Sequence, residues 1–313
     1  MQTGASAGKP RIGIVGTGAI GGFYGAMLAR AGQDVHFLCR GDYEAVRQHG
    51  LRVTRIDTED FTLPQVQAYN AAQEIGRCDL VIVTLKATSN AALPVILQPL
   101  VGPETTLLTL QNGMGNVEFL SQLYPDNPVM GGLCFVCVNR TSPGVFENTI
   151  PKSGYVVLGA HRHASLRDTE AVAALFCAAE VNARARPSLD EALWRKLCWN
   201  VPFNGLCIAG GGVTTDIIMA SERLKYLARW LMEDLRDAAA RHGHTIEDAF
   251  LQKQFDATAV MGAYRPSSLI DFLEKRPVEV EAIFGVPLRR GLEAGAALPH
   301  LRTLYPVLRA RCG

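Results

Sequence analysis

Ile12-Gly13-Ile14-Val15-Gly16-Thr17-Gly18-Ala19-Ile20-Gly21 decides the fold of this chain. The apolar run Ile12 to Val15 leads straight into a G-x-G-x-x-G, and an amphipathic segment, Phe23 to Ala31, follows. Strand, glycine turn, helix is the order that a dinucleotide-binding βαβ unit requires. Gly16 permits the tight turn, Gly18 lets a diphosphate approach the backbone, and Gly21 lets helix and strand pack closely. The diphosphate then rests on the free N–H groups and positive end of the new helix. Gly16, Thr17, Gly18, Ala19, Ile20 and Gly21 are therefore the expected cofactor-binding turn. The plainer alternative is a ligand-free strand–helix turn, since 30 of the 313 residues are glycine.

The next strand names the cofactor. Asp34-Val35-His36-Phe37-Leu38-Cys39 ends at Arg40, followed by Gly41 and Asp42. A ribose with a free 2′-hydroxyl calls for Asp or Glu at that strand end, whereas a 2′-phosphate calls for the forked guanidinium of Arg. Arg40 thus points to NADP(H). An Arg that merely ends the strand and faces water is the alternative, and Asp42 keeps NAD(H) open.

Outward from this turn, strand and helix signals alternate. Strand candidates are Arg11–Val15, Asp34–Cys39, Asp79–Leu85, Thr105–Leu110 and Val129–Asn139, with helical segments such as Phe23–Ala31 and Val117–Tyr124 between them. That is the doubly wound parallel pattern. Shorter strands, expected antiparallel, follow Pro143 and Pro151, then a helix Leu166–Ala179 and a last strand Asn182–Arg186. After Pro187, Ser188 is a good N-cap with Glu191 at capping-box spacing. From there Leu189–Leu206, Thr215–His242, Thr245–Ala263, Val278–Phe284 and Val286–Ala296 all have helical periodicity. The expected class is α/β, with a Rossmann-type parallel-sheet domain over residues 11–187, an all-helical domain over 188–313 and a disordered tail over 1–10. Such an arrangement places the active site beside the carboxyl ends of the strands, in a cleft between the domains.

Composition narrows the function. Apolar residues make up 48%, charged residues 19%, and the formal net charge is +1. There is no electrostatic case for nucleic acid or a membrane surface. No apolar run reaches the ~18 residues of a spanning helix, and the small, polar Met1–Pro10 is unlike a signal peptide. A cytoplasmic location follows. The eight cysteines are scattered, and Cys134-Phe135-Val136-Cys137 falls inside an apolar run that reads as a buried strand. A redox pair would open a helix, where the dipole lowers the thiol pKa. With no second C-x-x-C and no paired His, no metal site is expected. The cysteines read as small core residues.

Lys196, Asn200 and Asn204 recur at i, i+4 and i+8 among Trp194, Leu197, Cys198, Trp199, Val201 and Phe203. Burying an amine and two amides on an apolar helix is costly without partners, so this line is expected to face a cleft. A solvated polar face is the alternative, although it would rarely carry two Asn, which are poor helix formers. Pro202, within the line, removes one helix hydrogen bond and predicts a kink. Lys86 and Asn112 follow the carboxyl ends of two strands, where cofactor clefts form, but a strand terminator and an Asn-Gly turn would look the same. Ser267, Asp271, Glu279 and Glu281 lie in Tyr264–Asp271 and Arg276–Glu281. Spacing alone reads Glu279 as an acid in the first turn of a helix.

Together these segments resemble the ketopantoate reductase family. The matching stretches are the glycine turn with Arg40, Leu85-Lys86-Ala87, Leu110-Gln111-Asn112-Gly113-Met114-Gly115, Lys196 through Asn204, and Pro266-Ser267 to Glu279-Val280-Glu281. The resemblance implies NADPH-dependent reduction of a small-molecule 2-keto acid, 2-dehydropantoate, to the 2-hydroxy acid pantoate, before pantothenate and coenzyme A. It also implies roles. Lys196 would protonate the ketone oxygen, and Glu279 would hold the nascent hydroxyl and the lysine. Asn200, Asn204 and Ser267 would orient the substrate, with Asn112 and Lys86 at the nicotinamide side. A lysine suits the chemistry, because a hydride arriving at a ketone leaves negative charge on oxygen, which an ammonium stabilises and protonates. Two other readings stay open: a related two-domain dehydrogenase for another keto or hydroxy acid, and a non-catalytic NADP(H)-binding sensor. A homodimer is an open alternative to a monomer.

Overall fold

A computed structural model describes residues 9–150 and 154–313. Most of the expected N-terminal tail, residues 1–8, and Pro151 lie outside the described residues. Lys9 is described, and its ammonium donates to the Gly32 carbonyl at 2.6 Å. The chain divides into two compact units. One takes the chain up to Gln111 and again from Asn116 to Leu189; the other takes Asn112–Gly115 and Asp190–Gly313. The sequence reading put the change of character two residues earlier, at Pro187, and kept Asn112 with the sheet.

Among the described residues the first unit holds twelve strands: β1 (Arg11–Val15), β2 (Asp34–Leu38), β3 (Leu51–Arg55), β4 (Phe61–Leu63), β5 (Gln67–Tyr69), β6 (Leu80–Val83), β7 (Thr106–Thr109), β8 (Val129–Phe135), β9 (Val138–Ser142), β10 (Val145–Asn148), β11 (Tyr155–Ala160) and β12 (Asn182–Arg186). Eight form one sheet in the order β12-β11-β8-β7-β6-β1-β2-β5. Its pairs are parallel except β8 with β11. The central strands are buried on both faces and so read as unbroken apolar runs; every residue of β6 is buried. Ile14 on β1 pairs with Phe37 of β2 on one side and Ile82 of β6 on the other. The strand order therefore reverses at β1, and ligands of doubly wound sheets bind at that switch point.

Two expectations fail in this unit. Val129–Asn139 is not one strand: β8 ends at Phe135, opposite Tyr155 of β11, and β9 joins a separate four-stranded sheet, β4-β3-β10-β9. The run between them carries no Gly or Pro, so its apolarity hid the break. Cys134 and Cys137 flank that break and are only partly buried. Cys39, Cys78, Cys198 and Cys207 are core residues as expected, whereas Cys312 is partly buried and Cys177 is exposed. The second sheet was not foreseen, although β3 alternates inward Leu51, Val53 and Arg55 with more exposed Arg52 and Thr54, a period-two signal.

The second unit is helical apart from its loops. Leu189–Ala209 runs 21 residues with Pro202 inside it, and its Trp194, Leu197, Val201 and Phe203 enter a core with Leu231, Leu235, Phe284 and Leu301. The expected single helix Thr215–His242 is two, Thr215–Ala220 and Glu222–Arg241. Ser221 between them is extended and its hydroxyl accepts from the Leu224 N–H at 3.4 Å, a capping role that a helical period masks. A π-helical turn, Glu281–Gly285, runs into the helix Val286–Glu293. No described helix is long and apolar enough to cross a membrane.

Candidate functional site

The glycine turn leaves the carboxyl end of β1 and enters the helix Ala19–Arg30. Gly16 has φ +103°, and a Cβ there would lie 3.0 Å from the Leu85 nitrogen, so backbone conformation and space both demand glycine. A Cβ on Gly21 would sit 2.1 Å from the Gly16 carbonyl oxygen and 2.3 Å from the Thr84 hydroxyl. Gly18 differs, because nothing lies within 4 Å of its would-be Cβ. It is the helix N-cap, makes no side-chain cap bond, and no acid stands in the first turn. That open, positively poled helix start fits a diphosphate. Thr84 ties the end of β6 to the turn by donating to the carbonyl of Gly16 at 2.6 Å. Lys86 follows two residues later, before the 3-10 turn Ala87–Ala92. Arg40 is exposed at the end of β2. Asp42 is buried and paired with Arg140 on β9 at 3.2 Å. Sequence gave no sign of that partner, 98 residues away.

In the helical unit the lysine has a defined companion. Lys196 Nζ donates to Asn112 Oδ1 at 2.8 Å. Asn112 belongs to the short segment Asn112–Gly115, which is built into this unit. The Met114 N–H donates to the Ala282 carbonyl at 2.8 Å. Gly113 has φ +84°, and a Cβ there would meet that same oxygen at 2.3 Å, so the Asn-Gly pair is more than a turn signal. Arg290 adds a third hold, donating to the Met114 sulfur at 3.5 Å while its other arm meets Asp190 at 2.8 Å. Asp190, in the first turn of the Lys196 helix, also takes the Trp194 indole N–H at 3.2 Å and faces His244 at 2.9 Å. Burial pushes the Asp190 carboxyl up, but Arg290 and His244 outweigh it and hold the group below the usual carboxylate range. Asp190 and Arg290 escaped the sequence reading, which has no signal for contacts between residues 100 apart.

The remaining candidates are partly gathered. Asn200 lies one turn beyond Lys196 and is buried. Asn204 is 2% exposed. Its Nδ2 donates to the Asn200 carbonyl at 2.9 Å, and its Oδ1 accepts from the Ser268 N–H at 3.1 Å. Asn204 thus caps the helix Ser267–Leu273, whose own N-cap residue, Pro266, supplies no side-chain bond. Ser267 is exposed at the first position of that helix. Glu279 is buried at 4% exposure. It is not in a first helical turn, as the spacing suggested, but just ahead of the helical run, its carbonyl accepting from the Ile283 N–H at 3.1 Å. The π turn that follows carries Ala282, the partner of Met114. Such turns recur where a helix is bent to serve a site. Asp271 instead holds Arg276 at 3.0 Å, and Glu281 holds Arg289 at 3.0 Å and the Tyr305 hydroxyl. Among the described residues no group of three or more His, Cys, Asp or Glu is gathered as for a metal ion.

Residues 12–163 match the model of the ketopantoate reductase PanE/ApbA family, and residues 188–311 match its C-terminal model. The chain belongs to the ketopantoate reductase family. A 2-dehydropantoate 2-reductase from Nostoc sp. is 41% identical over 301 residues, covering 95% of this chain and 93% of that protein. The crystal structure of a 2-dehydropantoate 2-reductase from Geobacter metallireducens, also 41% identical, superposes with a TM-score of 0.91 over 96% of this chain and 99% of its own. A D-mandelate dehydrogenase solved with NADH, at 20% identity, shares the fold with a TM-score of 0.82 over 96% of this chain and 98% of its own. The family is an NADPH-dependent oxidoreductase family.

Proposed function

We propose that this protein reduces a 2-keto acid, 2-dehydropantoate, to the 2-hydroxy acid pantoate at the expense of NADPH. The sheet unit is the cofactor-binding domain and the helical unit the substrate domain. The observation that carries this reading is the Lys196 ammonium held at 2.8 Å by Asn112 in a chain whose relatives are named for that reaction.

Gly16 to Gly21 would hold the diphosphate and Arg40 the 2′-phosphate, with Lys86 and Asn112 as the residues for the nicotinamide. Reduced nicotinamide, when bound, supplies a hydride. Lys196 stabilises the negative charge that grows on the ketone oxygen and gives it a proton. The Asn112 amide oxygen accepts one ammonium N–H and so fixes the direction of the lysine head. Glu279 receives the new hydroxyl and holds the lysine in place. Asn200 and Ser267 fix the carboxylate end, and Asn204 supports both from beneath by bonding the Asn200 carbonyl and the start of the Ser267 helix. A cytoplasmic setting fits the unremarkable charge and the free cysteines.

The test is NADPH oxidation followed at 340 nm with a panel of branched and linear 2-keto acids. Turnover highest with 2-dehydropantoate supports the reading. Turnover highest with another keto acid moves the substrate assignment to a related dehydrogenase. NADPH binding without turnover on any of them makes the protein a sensor.

A further inference from the structure

Asp42 is the acid best placed to read a ribose diol, since it stands two residues beyond Arg40 on the loop that leaves β2. That carboxylate is not available. Its residue is 5% exposed, and Oδ2 accepts from Arg140 Nη1 at 3.2 Å. Arg140 lies on β9, an outer strand of the four-stranded sheet, and its side chain is 47% exposed. One arm of the guanidinium therefore covers the acid, while the Arg140 side chain as a whole keeps nearly half of its surface in solvent. The two residues are 98 apart in sequence and belong to the same compact unit.

We propose that Arg140 is a cofactor-selecting residue. It neutralises and covers Asp42, so that the 2′-position of the bound nucleotide meets the guanidinium groups of Arg40 and Arg140 and no acceptor for a hydroxyl. The proposal rests on the NADP(H) assignment above and deepens it. A 2′-hydroxyl gains by donating to a carboxylate, and a 2′-phosphate is repelled by one. Covering Asp42 removes the gain for NADH and the repulsion for NADPH in a single contact. A guanidinium has five N–H donors in a rigid fork, so Arg140 can hold Asp42 and still present donors to a phosphate beside it.

The experiment measures dissociation constants for NADPH and for NADH on the full chain by fluorescence titration without keto acid. The proteins are wild type, Arg140→Ala, and Arg140→Ala with Asp42→Asn. The proposal expects Arg140→Ala to weaken NADPH and tighten NADH, narrowing the ratio of the two constants by about tenfold or more, the size of a charge-assisted hydrogen bond. Adding Asp42→Asn should reverse the NADH gain. Arg140→Gln, read the same way, replaces Arg140→Ala if the alanine protein does not fold. Equal changes for both cofactors, or an NADH gain that survives Asp42→Asn, would overturn the proposal. A wild-type protein that already prefers NADH overturns the cofactor assignment itself. A wild type that prefers NADPH, with Arg140→Ala unchanged, overturns only the role of Arg140.

Discussion

The Lys196 ammonium donates to the side-chain oxygen of Asn112 across 2.8 Å, and the turn that carries Asn112 is bonded in turn to Ala282. A long helix, an Asn-Gly turn and the segment that follows Glu279 thus share one anchor. If that anchor orients the lysine for proton transfer, Asn112→Ala should lower kcat by about 10- to 100-fold, the cost of misplacing one catalytic group. NADPH binding should weaken by less than kcat falls. Steady-state kinetics beside a cofactor titration would check this, and an unchanged kcat would remove Asn112 from the mechanism.

The glycine turn separates folding from binding. At Gly18 a methyl group meets open space, so Gly18→Ala should melt within a degree or two of wild type yet bind NADPH at least tenfold more weakly. At Gly21 the same methyl strikes the Gly16 carbonyl and the Thr84 hydroxyl, so Gly21→Ala should cost about 1–3 kcal/mol, as overpacking does. Thermal melts with and without NADPH distinguish the two. Equal melting temperatures for both variants would contradict the packing described.

Asn204 has a structural duty that its spacing did not announce. It joins the Asn200 carbonyl to the first turn of the helix Ser267–Leu273. Asn204→Ala should therefore destabilise the protein by about 1–3 kcal/mol, from a lost cap and an unsatisfied buried N–H. Denaturant unfolding measures the loss. A stable Asn204→Ala protein with a raised KM alone would make the residue a substrate contact and nothing more.

Asp190 gives the protein a pH signature. Its carboxyl is held below the ordinary range, so the folded state binds this proton less readily than the unfolded one. The resulting stability is present above the unfolded pKa, about 3.9, and is lost as pH falls through the lower folded value. Melting temperatures of wild type and Asp190→Asn should differ at pH 6–7 and converge as pH drops below about 4. A gap that stays constant across that range would mean that Asp190 contributes by shape and not by charge.

Much of this was legible in sequence because the signals were local. The apolar runs of β1, β2 and β6 and the glycine turn between strand and helix are contiguous features, and the strand–turn–helix order they spell is the one the chain adopts. The line Lys196, Asn200, Asn204 followed from helical period. What stayed hidden is non-local. The Asp42–Arg140 pair, the Arg290 bridge from Asp190 to Met114, and the union of Asn112 with the helical unit each join residues far apart in the chain. The break between β8 and β9 was invisible for a different reason: a strand that changes sheet without Gly or Pro has the same apolar pattern as one that runs on. The position of Glu279 was misjudged by a short step: it stands one residue ahead of the helical run that begins at Val280, and helix ends are legible in sequence only to within a residue or two.

The central claim is that Lys196 is the proton donor of an NADPH-dependent keto-acid reduction. Single-turnover reduction of 2-dehydropantoate by Lys196→Ala, with NADPH affinity measured on the same protein, tests it most directly. The account predicts a rate lower by about 10²- to 10⁴-fold, the usual contribution of a positioned acid, with an unchanged dissociation constant for NADPH. A Lys196→Ala protein that reduces the keto acid at the wild-type rate would contradict it.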